Sequence, residues 1–473
     1  MQLIFEKSRA GRIGVSLPEL DVPKRDGIIS KDNLRDELEL PEVDEVTLIR
    51  HYIELSRRNF GVDNGFYPLG SCTMKYNPKI NEDIAKLEGF VECHPLQPNA
   101  QGCLRLMYEL ENMLCEITGM DAFTLQPAAG AHGELTGLMI IKAYFNEKGE
   151  DRKIIITPDS SHGTNPASST MCGFRNMTLK SNDKGQIDLD ELKKIINKDV
   201  AAIMLTIPNT LGIFEEHILE ITKIMHKNGS LVYMDGANMN ALLGVTKPAD
   251  MGIDIIHLNL HKSFSTPHGG GGPGSGPVGV VKTLERFLPN PRIIFKEGNY
   301  NLINNPKSIG KVKSFYGNFG VTVKAYSYIR AVGSDGLRKV AENAVLNANY
   351  LKEKVKDVYV LPYNSLCKHE FVLSDEALPN GVTTTDIAKR LIDYGIHPMT
   401  IYFPLIVHGA MMIEPTETES KETLDYFIRV MGKIRAEAEN KPELLHNAPF
   451  SMPVGRLDAV RAARNPDLRY SSN

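Results

Sequence analysis

Short apolar runs alternate with helical spacings through the middle of the chain. The runs at 153–157, 201–206, 231–235, 253–259 and 278–282 are nearly continuous rather than alternating, which predicts strands buried on both faces. Most of the gaps between them carry apolar residues at helical intervals, as at 189–197 and 215–227. Leu104, Met107, Leu110, Leu114 and Ile117 predict another helix over 104–118. Strand, helix and strand repeated in this way form crossover units. The expected fold is therefore α/β, with a mainly parallel sheet covered on both faces in a large domain over 101–335.

The first hundred residues are broken by Pro68, Pro78, Pro95 and Pro98 and read as an irregular arm, 1–100, laid over other surfaces. A long helical stretch over 321–355, interrupted near Gly333 and Gly336, leads to strands at 358–361 and 370–373 and helices at 384–394 and 419–439. These make a smaller C-terminal α/β domain over 336–440. Residues 441–473, with several prolines, read as an extended tail.

Composition narrows the partners. The 473 residues are 24% charged with a net charge of −4 and no long single-sign block, so nothing favours nucleic acid or an anionic membrane. No window approaches the ~20 uninterrupted apolar residues of a spanning helix, and no signal-peptide stretch opens the chain. A cytoplasmic protein acting on small molecules or proteins is expected. The cysteines (Cys72, Cys93, Cys103, Cys115, Cys172, Cys367) form no C-x-x-C pair and read as reduced thiols. His257 and His261 are four apart but fall on a strand and its turn, so no metal site is expected.

Ligands of an open parallel sheet gather beyond the carboxyl ends of its strands. Four segments fall there. Residues 126–134, QPAAGAHGE, put small residues at the start of an apolar helix, a seat for an anion or simply a tight turn. His162 follows the 153–157 strand, where an imidazole can cover a planar ring or serve as acid or base; most loop histidines do neither. Asp235 closes a very apolar strand, a costly place for a carboxylate unless a cation meets it, though Asp also caps helices. Lys262, between an apolar strand and the Gly/Pro-rich run 269–277, is placed to be a desolvated amine nucleophile rather than a surface lysine. A phosphorylated pyridine aldehyde needs all four partners.

Six runs carry a family resemblance: FYPLGSCTMKYNPK at 66–79, LQPAAGAHGE at 125–134, DSSHGTNPAS at 159–168, MDGANMNA at 234–241, LHKSFSTPHGGGGPGSGPVGV at 260–280 and MIEPTETESK at 412–421. Over nearly its whole length the chain resembles the pyridoxal-phosphate half of the glycine cleavage system P-protein family. The resemblance implies the fold type I (aspartate aminotransferase-like) architecture of pyridoxal-phosphate enzymes, with pyridoxal 5'-phosphate covalent on Lys262. It implies that Asp235 pairs with the pyridine nitrogen and that His162 stacks on the ring. Ala129, Gly130 and His261 fall on the phosphate side, Asn209 near the phenolic oxygen, and Ala237 among the cofactor contacts. It further implies decarboxylation of glycine and transfer of the aminomethyl group to the lipoyl disulfide of H protein. The expected assembly joins two copies of this chain with two of glycine dehydrogenase subunit 1, which lacks the lysine. Residues 314–318 are a candidate cross-chain loop, and Ser71, Thr73 and Tyr76 a candidate site lining. Three alternatives stay open on fold alone: an amino-acid decarboxylase, a cysteine desulfurase using Cys367, and a non-catalytic subunit retaining the fold.

Overall fold

A computed structural model describes residues 2–468 apart from 26, 37 and 269–273; the first five residues of the glycine-rich run after His268 therefore lie outside the described residues, as does the end of the predicted tail. Contacts divide the chain after Asn64 into two units. The first contains a helix, Glu45–Ser56, where the sequence reading had only irregular chain. Asp44 starts it by accepting from the Thr47 N–H at 2.8 Å.

The second unit is built on seven strands: β1 (Ala122–Thr124), β2 (Ile154–Pro158), β3 (Arg175–Leu179), β4 (Val200–Thr206), β5 (Leu231–Gly236), β6 (Ile255–Leu258) and β7 (Val278–Val280). They lie in the order β1-β7-β6-β5-β4-β2-β3. Only β7 runs against its neighbours, so the sheet is mainly parallel, as the buried runs required. The architecture is the α/β fold expected. Two strands escaped the sequence reading because they lack an apolar run: β1 has three residues, and β3 (RNMTL) is half-exposed at the sheet edge.

Helices cover the sheet through buried stripes. Met107, Leu110 and Leu114 of Gln101–Thr118 are fully buried in one core with Ile203, Met234 and Phe264. The helix Gly130–Lys148 approaches the other side through glycines. A Cβ on Gly137 would sit 2.3 Å from the Tyr233 ring, and one on Gly133 2.9 Å from His257. This close approach sets the helix start directly beside the ends of β5 and β6.

Beyond a hairpin of β8 (Arg292–Lys296) and β9 (Asn299–Ile303), the helix Phe319–Val355 is broken at Gly333, whose φ of 68° is left-handed. Its residues as far as Ala341, on both sides of the break, pack into the core of the large sheet, and Ala348, Leu351 and Val355 into a separate core with Phe371, Phe427 and Met431. There β10 (Phe371–Leu373), β11 (Thr400–Ile401) and β12 (Met411–Ile413) form an antiparallel sheet in the order β10-β12-β11. The strand expected at 358–361 is absent: only Val360 bridges, to Ser374. Nor is the tail simply extended, since Pro442–His446 and Ala459–Arg464 are helical.

Tyr233 is fully buried and cannot move aside for a methyl group at residue 137. Gly137→Ala should lower the unfolding free energy by about 1–3 kcal/mol, measured by denaturant titration.

Candidate active site

Strand register builds the acidic end of the site. Pairing of β5 with β6 sets Asp235 opposite His257, whose Nε2 lies 3.2 Å from Asp235 Oδ1. The other ring nitrogen, Nδ1, meets the hydroxyl of Tyr233 at 2.7 Å, from the same face of β5 two residues earlier. With the phenol donating to Nδ1, the hydrogen sits on Nε2 and is donated to the carboxylate. Asp235 also accepts from the Ala237 N–H at 2.9 Å and Asn165 Nδ2 at 3.2 Å. Burial pushes its pKa up, but His257, the Ala237 N–H, Lys262 and Asn165 together outweigh burial and hold it below the ordinary carboxylate range. Neighbouring Glu134 goes the other way: burial and then the Asp235 charge push it up to about 7. Its oxygens accept from Thr164 Oγ1 at 2.7 Å and Ser168 Oγ at 3.3 Å. Tyr233 and Asp235 thus occupy both ring nitrogens of His257, and neither contact involves His261.

Lys262 rides on the short helix Leu260–Ser263, directly after β6, and its Nζ donates to the Ser71 carbonyl at 2.7 Å. Ser71 and Thr73 have φ of 61° and 50°, the left-handed region that costs non-glycine residues about 1–3 kcal/mol each. Lys75, further along the same segment, fixes the lysine helix from below. Its buried Nζ donates to the Ser263 carbonyl and Asn240 Oδ1, both at 2.9 Å, and to Glu417 Oε1 at 2.8 Å. Burial opposes the Lys75 charge, yet Glu417 and Tyr328 raise its pKa above the ordinary lysine value. The sequence reading missed Lys75, Glu417, Glu370 and Glu414. All four lie inside the resemblance runs or beside a predicted strand, but only the fold brings residues 66–79 onto Lys262.

Ala129 begins the helix Gly130–Lys148 without any side-chain cap, which leaves its first N–H groups for an anion. Space there is tight: a Cβ on Gly276 would lie 2.0 Å from the Ala129 carbonyl, and one on Gly130 2.8 Å from the Asn259 amide. Ser275 Oγ and Asn259 Oδ1 are buried without hydrogen-bond partners, as a site awaiting a polar ligand would leave them. His261 Nδ1 accepts from the Ser275 N–H at 3.3 Å, and its ring stands edge-on to His268 at 5.1 Å. Burial first, then neighbouring positive charge, pushes His261 down to about 3 and His268 to about 4.

His162 keeps part of its surface exposed, with Nδ1 2.8 Å from Thr164 Oγ1 and its ring 5.6 Å from that of Phe403; partial desolvation first, and then the Lys262 charge, lower its pKa against the opposing pull of Asp235. The fold thus gathers Lys262, Asp235, His162, Ala237, Ala129, Gly130 and His261. Asn209 is held by its neighbours: its amide nitrogen donates one hydrogen to the Gly185 carbonyl at 2.7 Å and its Oδ1 accepts from the Leu211 and Ile213 N–H groups. Loop 314–318 is tied within its own chain, with the Tyr316 hydroxyl on Glu111 at 3.2 Å and the Asn318 amide on the Gly274 carbonyl. Cys367 is buried, and burial pushes its thiol up to about 12, which removes it as a thiolate nucleophile. Cavities of about 470 and 710 Å³ beside Phe214 and Lys368 contain none of the gathered residues.

Residues 17–297 match the family described as glycine cleavage system P-protein, and residues 340–448 the one described as glycine dehydrogenase, C-terminal domain. The probable glycine dehydrogenase (decarboxylating) subunit 2 of Caldanaerobacter subterraneus subsp. tengcongensis is 60% identical, covering 99% of this chain and 98% of its own. The same-named protein of Bacillus licheniformis is 58% identical over 99% of this chain and 98% of its own. Among solved structures, an inhibitor-bound glycine decarboxylase (P-protein) of the glycine cleavage system superposes with a TM-score of 0.73 at 21% identity, over 86% of this chain and 93% of that one. An apo cysteine desulfurase from Thermococcus onnurineus NA1 gives 0.62 at 16%, over 79% and 95%. Both share the fold type I architecture.

Lys75→Met strands a buried Glu417 carboxylate and should cost about 3–5 kcal/mol of stability, most of it recovered in Lys75→Met/Glu417→Leu; chemical denaturation of the two variants measures this. His261 and His268 stay neutral in the folded chain far below the model-peptide value of 6.5. The folded state then binds fewer protons than the unfolded one, so their stabilisation is present above about pH 6.5 and lost as the pH falls toward 4. The unfolding temperature of the ligand-free chain should therefore fall less steeply with acid in His268→Asn than in the wild type.

Proposed function

The chain belongs to the glycine cleavage system P-protein family, and on that premise we propose that it is the cofactor-bearing subunit 2 of a decarboxylating glycine dehydrogenase, with pyridoxal 5'-phosphate held covalently on Lys262. One observation carries the reading: an amine and an ionised, buried carboxylate stand at the ends of adjacent strands beside an uncapped helix start. When bound, the cofactor supplies an aldehyde for the amine and a ring that accepts the electron pair released as glycine loses carbon dioxide.

The chain's own residues do the rest. Asp235, kept negative by the His257 and Ala237 N–H donors, holds the proton on the ring nitrogen. His162 covers the ring face, and Ala237 supports the acid beneath it. Ala129, Gly130 and His261 hold the phosphate, with the orphaned Ser275 hydroxyl as a further donor. Asn209, whose amide nitrogen uses one of its two hydrogens on the Gly185 carbonyl, offers the other to the phenolic oxygen. The aminomethyl carbon passes to one sulfur of the lipoyl disulfide on H protein while the other sulfur takes a proton. Glycine dehydrogenase subunit 1 completes the assembly, two copies of each. Among the described residues no helix is long and apolar enough to cross a membrane, and we place the enzyme in the cytoplasm.

The test is exchange of labelled carbon dioxide into glycine by the chain co-purified with subunit 1 and supplied with lipoylated H protein. Lys262→Ala should abolish exchange and the borohydride-reducible chromophore; normal activity in that variant defeats the assignment. Asp235→Ala should bind the cofactor more weakly and slow exchange by orders of magnitude.

A further inference from the structure

Two fully buried glutamates lie side by side against the segment that receives the Lys262 amine. Glu370 precedes β10 and Glu414 follows β12, and neither side chain has any exposed surface. One oxygen of each and a ring nitrogen of His369 lie within 4.8 Å of one another. Four donors converge on the four carboxylate oxygens. Ser71 N–H reaches Glu370 Oε2 at 2.6 Å and Asn238 Nδ2 reaches Oε1 at 3.4 Å. Thr73 N–H reaches Glu414 Oε2 at 2.8 Å and Thr73 Oγ1 reaches Oε1 at 2.6 Å. Such a shell suits carboxyl groups and points hydrogens where a cation would have to sit. Both strained residues of the loop are thus pinned by acids, and the carbonyl between them holds Lys262.

We propose that Glu370 and Glu414 are positioning residues that share a single proton, clamping residues 71–73 over Lys262 and leaving one negative charge as counter-ion to its ammonium. Two adjacent carboxylates without solvent cannot both ionise at modest cost. Burial and mutual repulsion raise Glu370 well above the ordinary range, and burial raises Glu414 to about 7. The other titratable groups facing the amine supply no alternative. His261, His268 and His369 are neutral, and burial keeps Cys72 a thiol, up at about 11. Asp235 is already matched by His257 and backbone. The inference rests on Lys262 being the cofactor's lysine, but it concerns the amine before any ligand arrives.

The test uses the full-length chain stripped of cofactor. Lys262 is labelled with formaldehyde and cyanoborohydride across a pH series and quantified by peptide mass spectrometry, with exposed Lys193 as internal reference. E370Q and E414Q each keep one negative charge and should label within about twofold of the wild type. E370Q/E414Q removes the counter-ion, so labelling at neutral pH should rise roughly tenfold. Difference infrared spectroscopy gives a reading that does not depend on the double variant folding: both single variants should lose the same buried protonated-carboxyl band. Wild-type labelling in a folded double variant, or retention of that band in both single variants, overturns the proposal. Failure of the glycine exchange assay would leave these readings untouched, which separates the two conclusions.

Discussion

A carboxylate at the end of a fully buried strand must be compensated within the fold, and the whole site is arranged around that requirement at Asp235. Its compensation comes from the strand next door: β6 delivers His257 in register, and Tyr233 fixes which nitrogen of that ring carries the hydrogen. The same two strands are approached by a helix through Gly133 and Gly137, which brings the uncapped helix start to the same edge. Charge pairing and close packing are thus one constraint. The glycines that admit the helix also set the distance between an anion seat and an acid.

The opposite wall comes from another part of the chain. Residues 66–79 bridge to β12 at Leu69 and wedge Gly70 so close to Met412 that a Cβ there would lie 2.2 Å from its side chain. The segment then turns through two left-handed residues to place a carbonyl on Lys262. Backbone strain of this kind persists only where its surroundings over-determine it. Here the surroundings are glutamates beside β10 and β12 and the buried Lys75–Glu417 pair. The smaller sheet therefore holds the lysine's neighbours in place, although no residue within its strands belongs to the gathered site.

Glu134 beside Asp235 shows how unequally one pocket can treat two acids. Burial and the Asp235 charge carry the first up to about 7 despite its side-chain donors, while His257 and a backbone N–H hold the second below its ordinary range. Their environments thus push two neighbouring acids in opposite directions, so the first binds its proton at a higher pH than the second.

By itself the sequence determined the strand and helix alternation, the mainly parallel sheet and the segments that end at its edge, because buried runs and helical spacings are local signals. Lys262, Asp235 and His162 could be picked out for the same reason, each at or just past an apolar run, and the 126–134 turn by its small residues at a helix start. The sequence could not show which partner each of them meets. Only the tertiary structure decided that His257 pairs with Asp235, that Asn209 donates to the Gly185 carbonyl, and that Glu370 and Glu414 reach the lysine loop. The partners in those contacts lie from tens to hundreds of residues apart, so strand register and the packing of the two sheets, which no local pattern encodes, set them.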